Sequence, residues 1–314
     1  MNELYKKLQY FGSVKANISL SRFSTFKIGG PAQFLVEIKE NSKLIQLLDF
    51  LNEQGLEFFI LGGGSNILFP DEGLHKIVIK INTLSTQVTE NMIEVDSGVL
   101  LSTLVNLAVK NGLSGLEWAA GIPGTVGGAI RGNAGAMGEN MGECIQEVSI
   151  WQDGQVSVFD KKECQFSYRE SFFKKNPQVV ILKAKIKLPK GEKKEILEKI
   201  SRNLSNRKKN STLPSAGSFF KNIRLEDWPG KTDILPELFK SRGTVPAGWL
   251  IENCGLKGFK IGGAGISQEH GNFLVNFGSA TADQVLQVVE EVQKKVYNEY
   301  GVGLEPEVQI EVSR

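Results

Sequence analysis

Leu61-Gly62-Gly63-Gly64-Ser65-Asn66-Ile67-Leu68 sets three bare glycines between two apolar runs. With no side chains in the way, successive backbone N–H groups of such a turn can converge on one anion. The loop follows the β-like run 57–61, a position from which its amides are free to face a ligand. A second loop of the same kind stands at Gly121-Ile122-Pro123-Gly124-Thr125-Val126-Gly127-Gly128. Either loop alone is more often an ordinary glycine-rich turn, but the two together suit a pyrophosphate, whose oxygens face two directions, and predict a bound dinucleotide. Neither ends in the Gly-Lys-Ser/Thr of a P-loop, and neither has Gly-x-Gly-x-x-Gly between a strand and a helix. That argues against an ordinary ATPase or Rossmann dehydrogenase.

The surrounding chain bounds the rest. Its 314 residues, 41% hydrophobic, suffice for two or three compact units. A net charge of +2 is too small for a polyanion-binding surface, so no nucleic-acid partner is expected. The lysine-rich stretches 190–199 and 202–209 alternate with apolar residues and read as solvated helix faces. Cys144, Cys164 and Cys254 show no paired spacing, which indicates neither a disulfide framework nor a zinc site and fits a reducing compartment. The two histidines, His75 and His270, are too far apart in sequence to suggest an imidazole metal site or a Ser-His-Asp triad, so no metal is expected. The N-terminus lacks an apolar core of signal-peptide length and no run approaches a membrane span, which predicts a cytoplasmic protein without a membrane partner.

Periodicity predicts strands at 33–38, 57–61 and 76–81 around an amphipathic helix at 42–54, a small β-α-β unit. A strand at 92–95, a helix at 101–110, a hairpin turning on Asp153-Gly154 and a strand at 179–187 follow. A polar helix at 193–208 leads into Ser211-Thr212-Leu213-Pro214-Ser215, the main boundary. Beyond it, strands are predicted at 259–266 and 272–275, then a helix opened by the capping box Thr281-Ala282-Asp283-Gln284 and ended by Gly301. The closing strand 307–312 alternates, with Val308, Ile310 and Val312 expected to face the core.

Three groups of polar residues are candidates for chemistry. Glu305 and Glu307 share one face of an extended stretch, which an ordinary polar strand face explains equally well. Ser218, Lys221 and Asn222 bring a hydroxyl, an ammonium and an amide close to Gly217, as a polyoxygenated ligand needs, although a serine turn bonded to its own backbone gives the same pattern. Arg169 in Tyr168-Arg169-Glu170-Ser171 precedes a Phe-Phe pair that could bury its planar fork against a carboxylate, a surface arginine being the commoner outcome.

Taken in order, Leu61–Asn66, Gly121–Ala129 with Asn133-Ala134-Gly135-Ala136, Tyr168–Ser171, Ser215-Ala216-Gly217-Ser218-Phe219-Phe220-Lys221-Asn222 and Leu304-Glu305-Pro306-Glu307-Val308 resemble the UDP-N-acetylenolpyruvoylglucosamine reductase family, over nearly the whole chain. The resemblance implies an α+β protein: a vanillyl-alcohol-oxidase-type FAD-binding fold of two α+β subdomains, 1–81 and 82–206, a C-terminal α+β substrate-binding domain, 207–303, and a strand returning to the active site, 304–314. It implies FAD as cofactor, with NADPH as hydride source, and reduction of UDP-N-acetyl-enolpyruvoylglucosamine to UDP-N-acetylmuramate in cell-wall synthesis; a monomer acting on small molecules is expected. The alternative is another FAD-dependent oxidase or dehydrogenase of the same fold. Relatives of that fold often tether FAD to a histidine near the glycine loops; neither histidine here lies in one, so the flavin is expected to be non-covalent.

Carried over position by position, FAD would be held by Gly62, Gly63, Gly64, Ser65, Asn66 and Ile67, by Gly121, Pro123, Thr125, Gly127 and Gly128, and by Asn133, Ala134 and Gly135. Lys221, Asn222 and Tyr168 would contact the substrate. The family's proton donor corresponds to Ser218, and its two carbanion-stabilising groups to Arg169 and Glu307. Hydride passed from flavin N5 to the vinyl β-carbon leaves charge spread into the neighbouring carboxylate, which a guanidinium would offset. Glu307 would have to be a carboxyl kept neutral by burial, donating a hydrogen bond. The short run from Ser171 through Asn176-Pro177 to Val179 resembles the family's subgroup without an inserted tyrosine loop, and the proline that often follows Lys-Asn is here Ile223.

Overall fold

The computed structural model describes residues 3–207 and 212–312. Lys208 and Ser211, on which the end of the polar helix and the start of the expected boundary fall, lie outside the described residues. The chain forms two compact units: Met1–Ile18, Ala32–Gly63 and His75–Arg207 in one, Ser19–Pro31, Gly64–Leu74 and Lys208–Arg314 in the other. The first glycine loop is thus a place where the backbone passes from one unit to the other.

In the first unit, Pro31–Ile38, Ile77–Ile81 and Phe58–Leu61 form adjacent parallel strands, with Ser13–Ser19 beyond the first. The helix Asn41–Glu53 lays Leu44, Leu47, Leu48 and Leu51 against Val36, Ile38, Ile77, Ile79 and Ile81. Leucines three and four apart fall on one helical face and isoleucines two apart on one sheet face, so the two periods meet in a single core. Each fully buried aliphatic side chain contributes about 1.5–3 kcal/mol.

Beside it, five strands lie in the order Gln155–Asp160, Ile145–Gln152, Val180–Lys187, Met92–Asp96 and Thr86–Thr89, all antiparallel. Asp153 and Gly154 close the first hairpin with φ of 49° and 81°, the positive pair that a two-residue turn between right-twisted strands requires. Leu101, Leu104, Val105 and Ala108 of the helix Leu101–Lys110 cover this sheet, together with Trp118 and the short helix Val126–Arg131.

In the second unit, Ser215–Ser218, Phe273–Asn276, Ala264–Ile266 and Lys260–Ile261 form an antiparallel sheet. The helix Ala282–Tyr300 buries Val285, Val288, Val289, Val292 and Val296 in the core of this unit. Both halves of its capping box form, and the Asp71 carboxylate adds bonds from the N–H groups of Ala282 (2.9 Å) and Asp283 (3.2 Å). Gly301 ends it at φ 68°.

Two expectations are corrected. The run 259–266 is not one strand but a hairpin, Lys260–Ile261 and Ala264–Ile266, because Gly262 turns at φ +55°. The closing strand is shorter than 307–312: only Gln309–Ile310 pairs, parallel to Ile67–Leu68. Val308 is buried as expected, but Val312 is 57% exposed, since the strand it would extend ends at Leu68.

Candidate active site

The first glycine loop is built by close backbone approach. A Cβ on Gly63 would lie 2.6 Å from Gly124 Cα, and one on Gly62 would lie 2.7 Å from Thr125 Oγ1, so side chains are excluded where the two loops meet. Among the described residues, no hydrogen bond takes up the N–H groups of Gly62, Gly63 and Gly64. Gly64 adopts φ +64°, which Gly tolerates without cost, and its carbonyl accepts the Thr25 N–H at 2.9 Å.

The second loop is pinned from behind. Leu101 N–H donates to the Gly124 carbonyl at 3.0 Å, and Val126 and Gly127 donate to the Val99 and Ser97 carbonyls, each at 2.8 Å. Thr125 caps the helix Val126–Arg131 by accepting the Gly128 N–H at 3.3 Å. A Cβ on Gly127 would meet Ser97 Cβ at 2.7 Å, and the buried Ser97 hydroxyl has no hydrogen-bond partner among the described residues. Bare backbone, unused amide donors and an orphaned hydroxyl beside a loop are what a pyrophosphate-bearing cofactor calls for, so these residues fit FAD.

Asn133 and Arg169 are joined through the same corner of the first unit. The buried Asn133 amide donates to the Ser167 carbonyl at 2.7 Å and accepts the Gly142 N–H at 2.9 Å. Arg169, held at φ 56°, sends Nη2 to the Gly135 carbonyl at 2.8 Å. Its own carbonyl accepts from Lys174 at 2.9 Å, while the Ser171 hydroxyl donates to the Arg131 carbonyl at 2.6 Å. A non-glycine residue in the left-handed region is strained, and these bonds hold the strain in place. Tyr168 is 43% exposed, its ring 5.4 Å from the Arg169 guanidinium carbon.

Ser218 and Glu307 come together in the second unit. Glu307 N–H donates to the Phe219 carbonyl at 2.7 Å, Lys221 N–H donates to the Glu305 carbonyl at 2.9 Å, and Phe220 bridges Pro306 between them. Ser218 and Glu307 are both half-buried. Asn66, from the first loop, donates Nδ2 to the Glu307 carbonyl at 3.2 Å, and its own carbonyl accepts the Gln309 N–H. The Glu305 carboxylate pairs with the Lys221 ammonium at 2.6 Å, an arrangement not legible from the strand face that Glu305 and Glu307 share. The Asn222 side-chain amide oxygen, Oδ1, accepts the Ala247 N–H at 3.2 Å.

Two residues here were not among the expected ones. Asn272 is buried and clamps Phe220, accepting its N–H at 2.9 Å and donating to its carbonyl at 2.8 Å. No sequence pattern marks it. Lys80 donates to the Gly62 carbonyl. A lysine inside the apolar run Ile77–Ile81 was the available signal.

The α+β scaffold and its two glycine loops belong, by the matches that follow, to a flavoprotein oxidoreductase, the class the sequence resemblance implies. Residues 32–157 match the family described as FAD binding domain, and residues 208–311 match UDP-N-acetylenolpyruvoylglucosamine reductase, C-terminal domain. The UDP-N-acetylenolpyruvoylglucosamine reductase of Caldanaerobacter subterraneus is 37% identical over 309 residues, 97% of this chain and 96% of that protein. That of Bacillus subtilis is 36% identical over 304 residues, 95% and 94% of the two chains. The crystal structure of UDP-N-acetylenolpyruvylglucosamine reductase from Thermus caldophilus superimposes with a TM-score of 0.78 at 33% identity, covering 95% of this chain and 98% of that one. The chain belongs to the UDP-N-acetylenolpyruvoylglucosamine reductase family.

Among the described residues no helix is long and apolar enough to cross a membrane, and no group of three or more His, Cys, Asp or Glu is placed to hold a metal ion.

Proposed function

We propose that this chain reduces UDP-N-acetyl-enolpyruvoylglucosamine to UDP-N-acetylmuramate with NADPH, a step in peptidoglycan synthesis. The observation that carries the reading is the pairing of residues 219–221 with 305–307, which sets the Ser218 and Glu307 segments side by side, in a chain that belongs to this reductase family. The chemistry supplied by bound FAD is hydride transfer, taken from NADPH and given to the enolpyruvyl β-carbon.

Ser218 gives its hydroxyl proton to the substrate α-carbon. An alkyl hydroxyl is a weak acid, so the step depends on its being held within hydrogen-bond reach of a carbanionic centre. Arg169 offsets the charge that develops on the substrate carboxylate, and its bond to Gly135 fixes where the guanidinium stands. Glu307 acts as a neutral carboxyl that donates a hydrogen bond. Lys221, Asn222 and Tyr168 hold the substrate, Lys221 exchanging part of its pairing with Glu305 for the substrate's diphosphate.

FAD is held non-covalently by residues 62–67, by Gly121, Pro123, Thr125, Gly127 and Gly128, and by residues 133–135. Residues 1–81 and 82–206 serve the cofactor, 207–303 the substrate, and 304–314 return to the reacting groups. The protein works as a cytoplasmic monomer on small molecules, without nucleic acid or membrane. The purified protein should be yellow, bleached anaerobically by NADPH and recoloured by the enolpyruvyl substrate. A different flavin oxidase or dehydrogenase of this fold would not be recoloured by that substrate, and a colourless protein would remove the flavin reading altogether.

A further inference from the structure

Lys80 lies in the middle strand of the parallel sheet, in register with Glu37 on one side and Leu61 on the other. Its neighbours Ile79 and Ile81 point to the core beneath the helix Asn41–Glu53, so Lys80 is on the opposite face. There its ammonium donates to the carbonyl of Gly62, the first residue after the strand Phe58–Leu61. Among the described residues no carboxylate forms an ion pair with it. Glu37, the nearest acidic residue in register, accepts instead from the Asn82 amide at 3.0 Å. Burial pushes the Lys80 amine below the ordinary lysine range, with Glu37 pulling it partly back. A half-buried cation with one carbonyl acceptor is under-compensated, and such a group is normally completed by an anion.

We infer that Lys80 is a positioning residue for the cofactor, fixing the Gly62–Gly63 peptide through the Gly62 carbonyl so that the Gly63 N–H is presented to the flavin nucleotide's diphosphate. The inference rests on the FAD reading above. A trans peptide directs its carbonyl and its N–H to opposite sides, so tying down the Gly62 oxygen orients the Gly63 donor. The peptide has no slack elsewhere: Gly63 is in backbone contact with Gly124, and Gly62 faces the Thr125 hydroxyl. The ammonium adds a positive field at the same place, where parallel strands end and open α/β sheets receive their ligands.

The test compares Lys80→Met, Lys80→Gln and Lys80→Arg with the wild type by equilibrium dialysis against FAD and, separately, against riboflavin, which lacks the diphosphate. Lys80→Met should weaken FAD binding roughly 10- to 100-fold, the loss of one charged hydrogen bond and the order it imposes. Lys80→Arg should recover most of that loss, Lys80→Gln less, and riboflavin binding should stay within about twofold throughout. Equal FAD affinity in Lys80→Met and wild type, or equal losses for FAD and riboflavin, would overturn the inference. If Lys80→Met does not fold, the ranking of Lys80→Arg above Lys80→Gln for FAD alone decides the matter. Failure of the wild type to bind FAD would instead remove the functional reading on which the inference stands.

Discussion

The Glu307 N–H donates to the Phe219 carbonyl at 2.7 Å, so two segments nearly ninety residues apart in sequence run side by side as one short ladder. That ladder decides where the Ser218 hydroxyl and the Glu307 carboxyl stand, because each is attached one residue from the bond or at it. Its other side is held by Asn272, whose amide satisfies both polar groups of the Phe220 backbone.

Asn272→Ala should therefore destabilise the protein by about 2–4 kcal/mol, the cost of leaving two buried backbone groups unpaired. Urea unfolding measures this. The same variant, at a temperature where it is folded, should reduce the enolpyruvyl substrate more slowly while its flavin is still bleached by NADPH. A loss of less than about 0.5 kcal/mol would mean that the clamp is not made in solution.

Gly63→Ala places a methyl group where Gly124 Cα already stands, 2.6 Å away. Either the two loops separate or the substituted one shifts, a strain of about 1–3 kcal/mol that falls on the loop proposed to hold the FAD diphosphate. Purified Gly63→Ala should carry clearly less FAD than wild type, read from the ratio of flavin to protein absorbance. Gly217→Ala is the control: a Cβ there meets nothing within 4 Å, so FAD content should be unchanged, although φ +81° makes the site strained.

His270 gives a pH dependence whose sign is fixed by its surroundings. Burial holds its pKa below the ordinary 6.5, Glu252 opposing and Lys257 adding to the effect, and Nδ1 accepts the Asn272 N–H at 3.0 Å. The unfolded chain therefore takes up this proton first as the pH falls. Its contribution to stability is present above about 6.5 and is lost as the pH drops from there through the lower folded value. His270→Gln should flatten the stability-versus-pH curve in that window, measured by urea unfolding at pH 7.5, 6.5 and 5.5, values chosen to straddle roughly the unperturbed pKa. An unchanged slope would show that carboxylates alone set it.

Much of the framework was legible because period and punctuation agree. The helix at 101–110 falls on its expected bounds, the Asp153-Gly154 turn lies between Ile145–Gln152 and Gln155–Asp160, and the capping box and Gly301 bracket the long C-terminal helix. Short helices such as Val126–Arg131 and Ala247–Asn253 escaped, since six or seven residues do not establish a period. The hairpin at Gly262 reads as one strand in the sequence because both of its arms are only two or three residues long.

For the site, the glycine loops were visible as composition, but their mutual contact through Gly63 and Gly124 depends on tertiary approach. The pairing of Lys221 with Glu305 joins residues 84 positions apart and leaves no local trace. Asn272 was invisible for the same reason. The roles proposed for Ser218, Arg169 and Glu307 rest on the family motifs that hold them, not on any periodicity.

The most direct test follows Ser218→Ala through its two half-reactions in an anaerobic stopped-flow instrument. Removing only the hydroxyl should leave flavin bleaching by NADPH within a few-fold of wild type, and slow recolouring by the enolpyruvyl substrate by roughly two to four orders of magnitude, the scale of a lost general acid. Wild-type recolouring, or an equal fall in both half-reactions, would contradict a proton donated by Ser218.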